Sequence, residues 1–148
     1  MDSPQSAAGT HYNTILPAPL LLLVARLFLA FPFVVFGTMK YINMGKMQAY
    51  VEASGLPGQV IWLVIPYQIL CGLAIAAGFQ TRIAAALLAG FCILATCLYH
   101  THWGHTGELS SFTKDFATAG GFLYVWAFGP GPLSIDARWR NRRRPGAA

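Results

Sequence analysis

The chain has 148 residues, of which 55% are hydrophobic and only 10% charged, against roughly 25% charged in an ordinary soluble domain. That composition excludes a water-soluble globule, a coiled coil and a disordered regulator. The net charge of +5 does not make a nucleic-acid binder, because five of the ten cations are Arg138, Arg140, Arg142, Arg143 and Arg144, directly after the apolar part. A basic cluster so placed reads as an anchor against anionic lipid headgroups.

The charges are spaced as in a multi-span membrane protein. Uncharged stretches of 23, 29, 25 and 20 residues separate Asp2 from Arg26, Glu52 from Arg82, Arg82 from Glu108 and Asp115 from Asp136. A membrane-crossing helix needs about 20 apolar residues, so one domain with four spans is expected. The expected fold is an all-α, antiparallel four-helix transmembrane bundle. It divides into a polar tail at 1–14, a membrane domain at 15–132 and a basic tail at 133–148. Residues 1–14 lack Lys and Arg and carry Asp2, the wrong flank for a cleavable signal.

Span one is predicted at 15–37, with Pro17 and Pro19 at its start and Pro32 inside it. Proline removes a backbone donor, which predicts a kink near Pro32. Next, Met44, Met47 and Val51 recur at helical spacing and predict a short interfacial helix. Span two is predicted at 60–79 and span three at 83–99. The connection Gln80-Thr81-Arg82 is so short that these two must form an antiparallel hairpin. Span four is predicted at 112–128, stopped by Gly129-Pro130-Gly131-Pro132. Arg82 and the five tail arginines fall on one side, against Lys40, Lys46 and Lys114 on the other, which places both termini in the cytoplasm. Small residues four apart (Gly72/Ala76, Ala86/Gly90, Ala117/Gly121) predict close helix contacts.

Arg26 is the residue that asks most for a partner. It sits eleven residues from either end of the predicted span one, where a charge costs about 2.5–3.5 kcal/mol on insertion scales. Two readings stand. In one, Arg26 snorkels to the cytoplasmic headgroups. In the other, it faces the bundle and binds Gln68, backbone carbonyls, a ligand anion or a partner's carboxylate. Lys40 lies fourteen residues on, about 21 Å along a helix. Lys114 and Asp115 form either an interfacial pair or, with Lys40 and His100, a site. His100, His102 and His105 could bind metal or titrate as a pH sensor. They could equally be plain interfacial histidines, and no metal is assigned to them. Cys71, Cys92 and Cys97 form no Cys-x-x-Cys pair and read as small apolar residues. No phosphate-cradling loop, catalytic triad or paired carboxylates occur.

The motifs have a family likeness when taken together. They are Arg26, Gly37-Thr38-Met39-Lys40, Ala53-Ser54-Gly55-Leu56-Pro57, Gly72, Gly78-Phe79-Gln80-Thr81-Arg82, Tyr99-His100-Thr101-His102-Trp103 and Phe112-Thr113-Lys114-Asp115-Phe116-Ala117 followed by Gly120-Gly121. In order and spacing, across about residues 20–130, the chain resembles the DoxX family of small four-helix bacterial inner-membrane proteins. That resemblance implies a multi-pass inner-membrane protein. Some members are subunits of quinone-linked oxidoreductases, such as the small subunit of thiosulfate:quinone oxidoreductase, and others are associated with thiol or oxidative-stress systems. Gln68 departs from a glutamate often found near that position, and Asp115 from a more usual asparagine. The first removes both a counter-ion for Arg26 and a proton-carrying carboxyl.

The functional expectation is therefore a non-catalytic subunit or anchor of a quinone- or thiol-linked membrane oxidoreductase system, an accessory rather than a self-sufficient enzyme. It has no intrinsic cofactor, a quinone as the ligand to consider, and an oxidoreductase subunit or a second copy as the partner. Its ligand- or partner-binding candidates are Arg26, Lys40, Gln68, His100, Lys114 and Asp115. The alternatives are a membrane scaffold, a small-solute transport module, or a metal- or pH-sensing site at His100, His102 and His105.

Overall fold

The computed structural model describes residues 17–99 and 108–143. Every regular element among them is helical. In chain order they are α1 (Ala18–Ile42), α2 (Met44–Ala53), a 3₁₀ turn (Gly58–Val60), α3 (Ile61–Ala77), α4 (Thr81–Tyr99), α5 (Glu108–Phe128) and α6 (Ile135–Arg142). Three of them are long and apolar enough to cross a membrane: α1, the 3₁₀ turn continued by α3, and α4. The fourth long helix, α5, has 21 residues and carries Glu108, Lys114 and Asp115 in its first two turns.

The prolines explain where α1 begins. Pro17 precedes the helix and Pro19 lies in its first turn, where a missing N–H costs nothing because no intrahelical acceptor exists there. Pro32 lies inside α1 and Pro66 inside α3. In both helices the chain continues past the proline, as it can where neighbouring helices supply the packing. Gly37 and Gly72 set the approach of α1 to α3. A Cβ at Gly37 would sit 2.6 Å from Ile69 Cγ1, and one at Gly72 3.0 Å from Val34 Cγ2. These contacts fix an antiparallel register, with Gly37 opposite Gln68 and Ile69, and Gly72 opposite Ala30, Phe33 and Val34. Gly121 of α5 packs against Leu29 in the same way.

α1 thus contacts α3 and α5, while α4 contacts both α3 and α5. The four long helices form a closed ring around Phe33, Ile75, Leu88, Cys92 and Phe122. The Ala86/Gly90 step, expected to be a seam, faces outward, and no atom lies within 4 Å of where a Cβ on Gly90 would be. The reason is the α4 register, which turns Ala84, Ala85, Leu88 and Ala89 inward instead. In α2, Val51 is buried with Ile61 and Ile65, and Met44 and Met47 pack beside them. The methionine face covers one end of the bundle.

The segment read as a basic tail contains a helix, α6, fastened to the far end. Ser134 caps it by accepting from Ala137 N at 3.1 Å. The Asp136 carboxylate accepts from Gln80 N (2.8 Å), Thr81 N (2.9 Å) and Thr81 Oγ1 (2.8 Å). It therefore caps α4 from another helix, and Asp136 N in turn donates to Gly78 O at 2.9 Å. Losing a capping carboxylate costs about 0.5–2 kcal/mol. Asp136→Ala should lower thermal stability in detergent by that order and expose the tail to trypsin sooner. Asp136→Asn, which keeps an acceptor, should fall between. Equal cleavage rates in all three proteins would contradict this role.

Candidate functional site

The ring of helices closes tightly around its middle but opens at the α2 end into a cavity of about 700 Å³, within the range of ligand pockets. Its walls are largely apolar and aromatic, including Phe33, Val51, Ile61, Phe91 and Tyr99. Four of the sequence-predicted candidates line it: Lys40, Gln68, Lys114 and Asp115.

Each polar group is placed by a different helix. Lys40 lies in the last turn of α1 and donates from Nζ to Gln68 Oε1 at 2.8 Å. The same ammonium lies 5.8 Å from the centre of the Phe91 ring on α4, a distance at which ring and cation attract. Gln68 is only 4% exposed. Its carbonyl orients Lys40, and its amide N–H₂ remains a donor group directed by that bond. Asp115 of α5 accepts from Thr96 Oγ1 of α4 at 3.2 Å, and its charge acts on Lys40. Lys114 lines the rim and is exposed. Tyr50 of α2 stacks on Tyr99 of α4 with ring centres 5.4 Å apart, closing one side. The site therefore offers an ammonium, an amide and a carboxylate at one edge of an otherwise apolar chamber. That arrangement suits a lipophilic molecule with a hydrogen-bond-accepting head.

Arg26 is not part of it. It is 3% exposed and sits in the N-terminal half of α1, away from Lys40 in the last turn. Its Nη1 donates to Pro130 O and its Nη2 to Leu133 O, both at 2.9 Å. Of the partners left open for Arg26, backbone carbonyls are the ones found. Gln68, another of those candidate partners, does not reach it, because the α1–α3 register sets Gln68 level with Gly37 and Lys40 rather than with Arg26. His100, His102 and His105 lie outside the described residues. Among the described residues no group of three or more His, Cys, Asp or Glu side chains is placed to hold a metal.

Sequence reasoning missed the cavity walls contributed by Tyr50, Phe91 and Tyr99, and the Thr96–Asp115 bond. Thr96 carried a usable signal, being a lone hydroxyl in an apolar run and therefore in need of a partner. The aromatic residues carried none, since they look like any lipid-facing side chain.

Comparison with known proteins supplies the family. The DoxX family model matches residues 21–101, more than half of the chain. The chain belongs to the DoxX family. Inner membrane protein YqjF of Escherichia coli (strain K12) is 39% identical over 114 residues, covering 77% of this chain and 88% of the relative. Inner membrane protein YphA of the same organism is 29% identical over 127 residues, covering 81% of this chain and 91% of the relative. No solved structure matches the chain. The DoxX match runs from α1 through α4, so it takes in Arg26, Lys40, Gln68, Phe91 and Thr96, while Lys114, Asp115 and α6 lie beyond it.

Proposed function

We propose that this DoxX-family protein is a four-span inner-membrane accessory subunit that holds a quinone for a partner oxidoreductase. The supporting observation is the cavity of about 700 Å³ in which Lys40 and Gln68 form one polar edge and Phe91, Tyr50 and Tyr99 the aromatic walls. An ammonium that spends one donor on Gln68 keeps others for a carbonyl oxygen of the ring, and the apolar walls fit an isoprenoid-substituted ring. A bound quinone would supply the electron-carrying chemistry; Lys40 and Gln68 would orient it, and Asp115 would tune the charge beside it. The electron source is the partner subunit.

In this reading α5 is the fourth span. Its Lys114 and Asp115 lie at the cavity end, toward the outer headgroups, and the whole 21-residue helix, including the turns that carry this pair, spans the bilayer. Arg82, Arg138, Arg140, Arg142 and Arg143 lie at the other end, which the positive-inside rule assigns to the cytoplasm together with both termini. The relatives' names as inner membrane proteins support the choice of membrane.

The test is titration of the detergent-purified protein with decyl-ubiquinone, followed by thermal shift. Saturable stabilisation is expected. Lys40→Met removes a charge-assisted hydrogen bond worth about 1.5–3 kcal/mol, so binding should weaken by roughly 10- to 100-fold. Equal binding by wild type and Lys40→Met, or none by either, would overturn the proposal.

A further inference from the structure

A second recess lies at the opposite end of the molecule, where α6 meets the α3–α4 turn. It has a volume of about 560 Å³ and is lined by Phe79, Gln80, Asp136, Trp139, Arg140 and Arg143. The acidic member is already committed, because both Asp136 oxygens accept hydrogen bonds from the Gln80 and Thr81 amides and the Thr81 hydroxyl. The two guanidinium groups, three residues apart, share one face of the helix end, and both are exposed. Phe79 and Trp139 meet edge to face with centres 5.9 Å apart. Each keeps a large exposed surface, as aromatic residues do at headgroup level.

We infer that this recess binds the phosphate-bearing headgroup of an anionic phospholipid. Two forked guanidinium groups match a phosphodiester in geometry as well as charge. The flanking aromatic pair suits the glycerol and upper acyl region. The α6 anchor also holds the arginines at the end of three apolar helices rather than leaving them on a free tail. This goes beyond general attraction of a basic tail to the membrane, because it assigns the affinity to Arg140 and Arg143 and not to Arg138 and Arg142. It is independent of the quinone reading, whose cavity lies at the other end.

The experiment uses the full chain in a neutral detergent, titrated with phosphatidylglycerol, phosphatidylcholine or inorganic phosphate, with melting temperature as the readout. Wild type should be stabilised saturably by phosphatidylglycerol and little by phosphatidylcholine. Arg140→Gln with Arg143→Gln should weaken that affinity on the order of tenfold or more. Arg138→Gln with Arg142→Gln removes the same charge outside the recess and should weaken it far less. Melting without lipid checks that both variants fold, and both retain the Asp136 anchor. Equal loss in the two double variants would reduce the effect to diffuse charge and overturn the site. So would indifference to lipid headgroup. Inorganic phosphate matching phosphatidylglycerol would assign the recess to a soluble anion and overturn the lipid.

Discussion

Arg26→Leu should insert into the membrane normally and yet be markedly less stable, by about 2–5 kcal/mol. Insertion improves because a charge leaves an apolar helix. Stability falls because Pro130 O and Leu133 O each lose a donor at 2.9 Å, and a hydrogen bond to a charged group contributes about 1.5–3 kcal/mol. The added leucine surface offsets only part of that. The loss should be local as well as global: the 129–134 loop detaches, α6 follows, and trypsin cleaves at Arg138 faster than in wild type. Arg26→Lys, whose single ammonium cannot fork to both carbonyls, should lie between. Melting temperature in detergent and the tail cleavage rate check the prediction. If both are unchanged in Arg26→Leu, Arg26 does not hold the loop.

The second large effect is expected at Gly78. Its φ is +73°, and it ends α3 with Gly78 N and Phe79 N both donating to Ala74 O at 2.9 Å, a glycine-dependent helix stop. A Cβ there would sit 2.5 Å from Ser134 Cβ and 2.6 Å from Arg26 Nη1. The left-handed conformation costs an alanine about 1–2 kcal/mol, and the forced displacement about 1–3 kcal/mol more. Gly78→Ala should therefore destabilise by about 2–5 kcal/mol, with the same early tail cleavage as Arg26→Leu. Gly45→Ala is the contrast. No atom lies within 4 Å of the added carbon, so in α2 it should be neutral or stabilise by up to about 1 kcal/mol. If Gly78→Ala proves as benign as Gly45→Ala, the α3 end does not pack closely against the 130–134 loop.

The helices α1, α3 and α4 were legible because long apolar runs leave the backbone no alternative in lipid. The α3–α4 hairpin was legible because a three-residue link permits nothing else. The methionine-bearing α2 showed in its spacing. α6 was hidden because five arginines read as a basic headgroup anchor, although Ser134 followed by Asp136 is a recognisable helix start. Lys40, Gln68, Lys114 and Asp115 were each found as polar groups out of place, but their grouping was only partly recovered. Depth in the sequence can be measured only from the centre of each apolar run, not from helix contacts. The close contacts at Gly37 and Gly72 instead shift α1 along α3 and give Gln68 to Lys40. The carbonyls that accept from the Arg26 Nη1 and Nη2 groups left no mark in the sequence, since any residue carries a carbonyl.

The distance along the chain between Arg26 and its acceptors has a consequence for biogenesis. Pro130 and Leu133 are 104 and 107 residues downstream. As the ribosome delivers the nascent polypeptide, Arg26 enters the translocon long before either oxygen exists. Until then its guanidinium must rest on phosphate or water at the membrane surface. Final settling of the first helix therefore waits on synthesis of the loop behind the last long one, making assembly of the four-rod ring a post-insertional event.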